Sequence, residues 1–353
     1  MGGKVLKPFL YNALPVRVVF GAGSLAQLPA EVDRLGAKRV LMLSTPGRAE
    51  MVRGAASGLP VAGIFDEAAM HTPLELAEKA RRRAAELGAD CCVAVGGGST
   101  IGFAKAIALT SSLPVIAVPT TYSGSEMTTI WGVSEGGAKK TGRDPRVAPK
   151  TVIYDPQVTL GLSPATSAAS GMNAIAHCVE ALYAHDGNPV ISLIAEEGIR
   201  ALAAALPKVV SNGRDLEARS EALYGAWLAG LSIATTSVAL HHKLCHVLGG
   251  LGLPHAETHS IVLPHAMHYN AQAAHEAMGR VAKAIRAVDA DAGIWDIQQA
   301  LGLPMRLADL GMKESDLERA ARIAVEAPYP NPRKVEYAGV LALLHAAYEG
   351  RRP

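Results

Sequence analysis

Short apolar runs alternate with amphipathic segments through the first 155 residues. Residues 39–44 are a β-rich run ended by Thr45-Pro46-Gly47, and residues 61–65 are another. Residues 73–87 carry helical spacing and stop at Gly88. Residues 91–95 form a continuous apolar strand that runs into Gly96-Gly97-Gly98-Ser99, and a helix over 101–110 follows. Residues 114–119 are the next strand, leading into Thr120-Thr121-Tyr122-Ser123-Gly124-Ser125-Glu126. Strands alternating with helices predict a parallel sheet covered on both faces. The character changes around 151–156. From 163 onward the chain is Ala/Leu-rich, with helical regions over 163–185, 191–210, 222–250 and 265–285 and few strand signals. The expected division is an α/β dinucleotide-binding domain over 1–158 and an all-α substrate domain over 159–353. No low-complexity linker separates them, so a tight interface is expected.

Composition narrows the function. The chain has 353 residues, about two domains' worth, with 49% hydrophobic and 19% charged residues. Lys+Arg 34 against Asp+Glu 32 leaves +2, without the basic excess that nucleic acid or an anionic membrane requires. Neither is expected as a partner. The four cysteines, Cys91, Cys92, Cys178 and Cys245, contain no C-x-x-C, so neither a disulfide framework nor a zinc knuckle is expected, and a cytoplasmic setting fits. The start, MGGKVLKPFLYN, has no apolar leader region, and Leu6 breaks the myristoylation pattern.

Gly96-Gly97-Gly98-Ser99 sits where a strand ends and a helix begins, and backbone N–H groups there can approach a phosphate. The spacing is neither G-x-G-x-x-G nor a Walker loop. Hydroxyls of Thr120, Thr121 and Ser125 follow the neighbouring strand, and two such loops would form a Rossmann-like dinucleotide crevice. The early strand ends in Ser44-Thr45-Pro46-Gly47-Arg48, with Thr45 at the cofactor and no acid for a ribose 2′-OH. NADH is the expected cofactor; NADPH, with Arg48 nearby, stays open.

Eight of the twelve histidines fall between 241 and 275: His241, His242, His246, His255, His259, His265, His268 and His275. His242 and His246 share a helix face at i, i+4, as do Asn173 and His177. Gly249-Gly250-Leu251-Gly252 would return the chain so that His255 reaches the same place. Three or four imidazoles can bind a transition metal, orient an anion or transfer protons.

The order GGGS, VPTTYSGSE, GMNAIAHCVEALYA, HHKLCHVLGG-LGLPHAETHSIVLPH and Asn331-Pro332-Arg333 resembles the iron-containing (group III) alcohol dehydrogenases over essentially the whole chain. The resemblance implies a dehydroquinate synthase-like fold, a substrate cleft between the two domains and a homodimer. It places the family's ligand positions on Asn173, His177, His242 and His255, with His246 beside the nicotinamide and Lys139 (or Lys140) near the cofactor. Metal-dependent members carry Asp where this chain has Asn173, and another Asp where it has Gly102. No bound metal is therefore expected, and the four ligand positions read as vestigial. Both departures resemble the branch that reduces the C=C bond of maleylacetate to 3-oxoadipate in aromatic-compound degradation. That implies a small dicarboxylate substrate, with chloromaleylacetates and dechlorination also conceivable. His242, His246, His255 and His177 are the expected catalytic group, with Lys243 holding a carboxylate. The alternatives are a metal-dependent alcohol dehydrogenase or aldehyde reductase of the same superfamily, and a lyase resembling dehydroquinate synthase.

Overall fold

The computed structural model describes residues 8–70, 72–135 and 138–353. One sheet contains β1 (Arg17–Phe20), β2 (Val40–Leu43), β3 (Val61–Phe65), β4 (Cys91–Gly96), β5 (Val115–Pro119) and β8 (Thr151–Tyr154). Its order is β1-β8-β5-β4-β2-β3, and every pairing is parallel. Strands β2, β4, β5 and β8 are buried along their whole length, which is why they read as unbroken apolar runs. Side chains of β4 alternate across the sheet. Cys92 and Ala94 meet α3 (Leu74–Glu86) and α4 (Gly98–Ser111), while Cys91, Val93 and Val95 meet α1 (Leu28–Arg34) and α2 (Ala49–Ala55). An antiparallel hairpin, β6 (Ile130–Glu135) with β7 (Ala138–Arg143), interrupts the sheet sequence; its mixed polar pattern carries no strand signal.

The remaining chain is helical: α5 (Pro164–Tyr183), α6 (Pro189–Ser211), α7 (Leu216–Thr235), α8 (Leu240–Gly250), α9 (His255–Asn270), α10 (His275–Ile285), α11 (Ala290–Ala300), α12 (Leu317–Val325) and α13 (Tyr337–Glu349). Among the described residues no strand follows β8. No single described helix is long and apolar enough to cross a membrane. All four cysteines are buried thiols.

Two expected helices prove to be pairs. Region 222–250 breaks after α7, and α8 leaves at 96°. The hydroxyls of Thr235 and Thr236 bond back to the carbonyls of Leu231 and Ser232, closing α7. Ser237 then turns onto Asp186, and a buried carboxylate, Glu180, collects the N–H groups that start α8. Region 265–285 breaks at 271–274, where Asn270 accepts from Ala273 and Ala274 in a tight turn, and its first helix begins earlier, at His255.

Arg219 on α7 ties the helical part to the sheet part. Its guanidinium is fully buried and donates to Tyr122 Oη (3.2 Å), Ser167 Oγ (2.7 Å) and the carbonyls of Leu162 (3.1 Å) and Gly213 (3.0 Å). Removing one partner of a buried, charge-assisted network strands the others away from water. Arg219→Met is expected to lower unfolding free energy by about 3 kcal/mol or more, read from urea denaturation. A change under about 0.5 kcal/mol, the level of a neutral surface change, would show that the network is not holding the two parts together.

Candidate active site

The sheet order reverses between β2 and β4, so the crevice lies at their carboxyl ends. Thr45, half-buried, follows β2 there; Gly96–Ser99 ends β4 and opens α4; Thr120–Ser125 follows β5. These are the expected cofactor residues, and the topology brings them to one edge. Helix α4 starts at Gly98, three residues before the apolar pattern shows it, and has no side-chain cap. Its first N–H groups are therefore open to an anion. The glycines are required by close approach. A Cβ on Gly96 would collide with the Thr100 side chain; on Gly97 it would lie 2.9 Å from Thr121 Oγ1, and on Gly98 3.0 Å from Ser123 Oγ. A Cβ at Gly102, where the family resemblance sets an Asp, would lie 2.6 Å from Thr72 Oγ1, so a side chain there would require Thr72 to shift. Lys139 pairs with Ser134 across the hairpin, but its side chain lies outside the described residues; Lys140 pairs with Glu135 at 3.0 Å.

The hydroxyl loop is braced from inside. Lys105 of α4 is fully buried, and its Nζ donates to the carbonyls of Ser125 (2.6 Å), Thr128 (2.8 Å) and Ile130 (2.8 Å) and to Thr128 Oγ1 (2.8 Å). Burial pulls the ammonium down to about 7, against the opposing charge of Glu126. Loop and imidazoles meet at Gly124, whose φ is +76°. A Cβ there would lie 3.2 Å from His177 Nδ1 and 3.1 Å from Gly230 Cα.

Helix α5 carries Asn173, His177 and Glu180 at i, i+4, i+7, one face of the helix, and all three are buried. Glu180 reaches across to the start of α8. It accepts from the N–H groups of Ala239 (2.9 Å), His241 (2.8 Å) and His242 (3.4 Å) and from His242 Nδ1 (2.7 Å). Both oxygens are used only as acceptors, which requires the carboxylate form, although burial itself pushes this carboxyl up. The network thereby fixes the proton of His242 on Nδ1 and leaves Nε2 aimed away from Glu180, buried and unpartnered. The His177 ring stacks on His242 with centroids 5.2 Å apart. His259 of α9 lies 4.9 Å from His242, 4.9 Å from His241 and 4.2 Å from His255, and neither of its ring nitrogens has a partner. Asn173 Oδ1 and His177 Nδ1 are unpartnered as well. Burial holds His177, His242 and His259 well below the ordinary imidazole range, reinforced by their neighbouring rings, so all three are neutral at pH 7. His246, exposed, lies 6.3 Å from His242, and His255 sits exposed in the first turn of α9.

One sequence expectation changes here. The run of eight histidines is not one cluster: His268 is exposed and pairs with Asp291, His275 is exposed, and His265 packs on Trp295. Lys243 lies on the flank of α8, half-buried, with Nζ 6.0 Å from the Tyr329 ring centroid. His259, His241 and Glu180 join the site without having been singled out for it. Helical spacing carries the signal for two of them: His259 follows His255 by four residues, and Glu180 follows His177 by three.

An open parallel sheet with a glycine loop at its switch point, facing imidazoles held by a helical domain, is the architecture of a nucleotide-dependent oxidoreductase. The chain belongs to the iron-containing alcohol dehydrogenase family. The family model described as "Iron-containing alcohol dehydrogenase" matches residues 15–156, and that described as "Fe-containing alcohol dehydrogenase family, C-terminal" matches residues 167–348. The chain is 54% identical over 352 residues to maleylacetate reductase of Burkholderia cepacia, covering 99% of this chain and 100% of that one. It superposes on the crystal structure of maleylacetate reductase from Agrobacterium tumefaciens with a TM-score of 0.96 at 48% identity, covering 99% and 100%. A crystal structure of a 1,3-propanediol oxidoreductase gives 0.88 at 27% identity, covering 98% and 100%.

His265 supplies a pH test outside the site. Burial, then His268 and Arg351, lowers it from 6.5 to about 4. The folded state therefore binds fewer protons than the unfolded chain between those values. Its contribution to stability is complete above about pH 6.5 and is lost as pH falls towards 4. Urea unfolding at pH 7 and pH 5 is expected to show a stability loss about 2 kcal/mol smaller in His265→Gln than in the parent. Equal losses would mean that His265 is not held neutral.

Proposed function

We propose that this chain reduces the C=C bond of maleylacetate, giving 3-oxoadipate, with NAD(P)H as reductant and chloromaleylacetates as further substrates. The 54% identity to a maleylacetate reductase over the whole chain supports this reading. The structural observation that carries it is the group of buried, unpartnered polar atoms on Asn173, His177, His242 and His259, next to the loop that ends in Gly124. Residues 1–158 bind the nucleotide, 159–353 bind the diacid, and the protein works as a homodimer.

The positions at which the family resemblance places metal ligands hold an amide and three imidazoles, none of them anionic. The nearest carboxylate, Glu180, is already bound to three backbone N–H groups and His242 Nδ1. A dication there would sit in a buried, neutral shell without the carboxylate that offsets its charge. We infer that catalysis does not use it.

When bound, the reduced nicotinamide supplies hydride to the alkene carbon β to the ketone. The chain's own residues handle the charge that follows. Negative charge develops on the ketone oxygen, N–H groups of His177 and His255 stabilise it, with His242 packed against His177, and a proton from solvent then adds to the carbon α to the ketone. Glu180 holds His242 in one tautomer and orientation. In this reading His246, at the exposed edge, would stand beside the nicotinamide, and Lys243 would take a substrate carboxylate beside Tyr329. Gly96–Ser99, Thr120, Thr121, Ser125, Thr45 and Lys139 bind the cofactor.

NADH oxidation with maleylacetate, after exhaustive chelation, tests the reading. Full activity is expected. Activity lost on chelation and restored by Zn²⁺ or Fe²⁺ would keep the substrate and overturn the metal-free mechanism. No activity under either condition would overturn the substrate, and simple alcohols with added metal would be screened next. Lys243→Ala is expected to raise the diacid KM by about tenfold, the worth of one charge-assisted contact, with kcat changed far less. An unmoved KM would place Lys243 outside the substrate site.

A further inference from the structure

We propose that His241, Cys245 and His259 form a binding site for a thiophilic divalent cation of the Zn²⁺ class, separate from the family's ligand positions. His241 and Cys245 are one helical turn apart on α8, and His259 faces them from α9. One potential ligand atom of each lies within 4.8 Å of the other two, and all three side chains are buried. Cys245 Sγ is 3.5 Å from His241 Nε2. Tetrahedral zinc, with Zn–S near 2.3 Å and Zn–N near 2.0 Å, holds a sulfur and a nitrogen about 3.6 Å apart. That edge of the polyhedron is therefore already formed. The third ligand is independently marked: His259 is fully buried, and both of its ring nitrogens lack a partner.

Charge separates this set from Asn173, His177, His242 and His255. Those four offer only neutral donors, whereas Cys245 becomes an anionic donor on binding, its thiol proton leaving to buffer. Soft thiolate donors also select Zn²⁺ over harder cations. His241 Nε2 now bonds to the His259 carbonyl at 3.0 Å. Binding breaks that bond and moves the proton to Nδ1, and ring nitrogens of His241 and His242 and an oxygen of Glu180 lie within 4.8 Å of one another. This inference does not depend on the substrate.

The test is anaerobic titration of the chelated full-length protein with Co²⁺. A thiolate-to-cobalt charge-transfer band in the near ultraviolet is expected, bleached when Zn²⁺ displaces Co²⁺, with one proton released per ion. Cys245→Ser and Cys245→Ala are expected to lose the band and to weaken Zn²⁺ affinity at least about tenfold. Cys178→Ser, at a buried cysteine of α5, is expected to keep both. Cobalt bound without a thiolate band, an unchanged spectrum in the Cys245 variants, or no binding at all would each overturn the site. Activity is not the readout, so the outcome stands whatever the substrate assay gives.

Discussion

A buried carboxylate decides whether this site exists. Glu180 lies on α5, yet the groups it satisfies belong to the start of α8. A helix beginning in the interior leaves N–H groups that water cannot reach, and they must be met by something. Here one side chain meets three of them and fixes the His242 proton as well. The 96° turn between α7 and α8, the facing of His177 and His242, and the unpartnered Nε2 all follow from that one anion. A neutral amide at 180 would present donors to donors on one side, so the constraint is on charge as well as on shape.

The nucleotide half reaches this centre through very small residues. Gly124 permits the hydroxyl loop to touch His177 and Gly230 at once, and Lys105 holds that loop from below, its three N–H donors shared among four oxygens. Arg219 repeats the logic further out, joining α7 to Tyr122 in the same loop and to the start of α5 at Ser167. Each brace is a long cation buried among oxygens. Such groups are costly to strand and hence good at specifying one arrangement, and they put the crevice and the imidazoles in fixed register across the junction between the two parts.

The sheet was largely legible in the sequence because its central strands are buried on both faces and so appear as apolar runs, each ending in turn residues. The glycine loop was legible for the same reason: Gly96 to Gly98 interrupt a strand-to-helix junction. What stayed hidden depends on contacts between distant segments. The Thr-Thr-Ser run at 235–237 closes α7 locally, but the start of α8 is met by Glu180, 59 to 62 residues earlier. The histidine run misled in the opposite direction. His265, His268 and His275 share the composition of the cluster but leave it once α9 turns and ends, while His259 belongs through its four-residue spacing from His255. Lys105 looks in sequence like one charge in an apolar helix, and only the loop packed over it shows its work.

Charge placement then explains how so many imidazoles pack together with one carboxylate behind them. Asn173 leaves the α5 position neutral. The anion, Glu180, is spent on three backbone N–H groups and His242 Nδ1. The buried histidines facing the nucleotide loop are therefore an uncharged, desolvated set: His242 Nε2 is an acceptor, and donation to an oxygen acquiring charge falls to the N–H groups of its neighbours. Among the described residues, the thiol of Cys245, one helical turn from His241, is the donor here that becomes anionic when its proton leaves to solvent as a soft cation binds. Separating neutral donors at the nucleotide loop from a latent thiolate behind them gives the two groups of imidazoles different chemistry, although they are packed ring against ring.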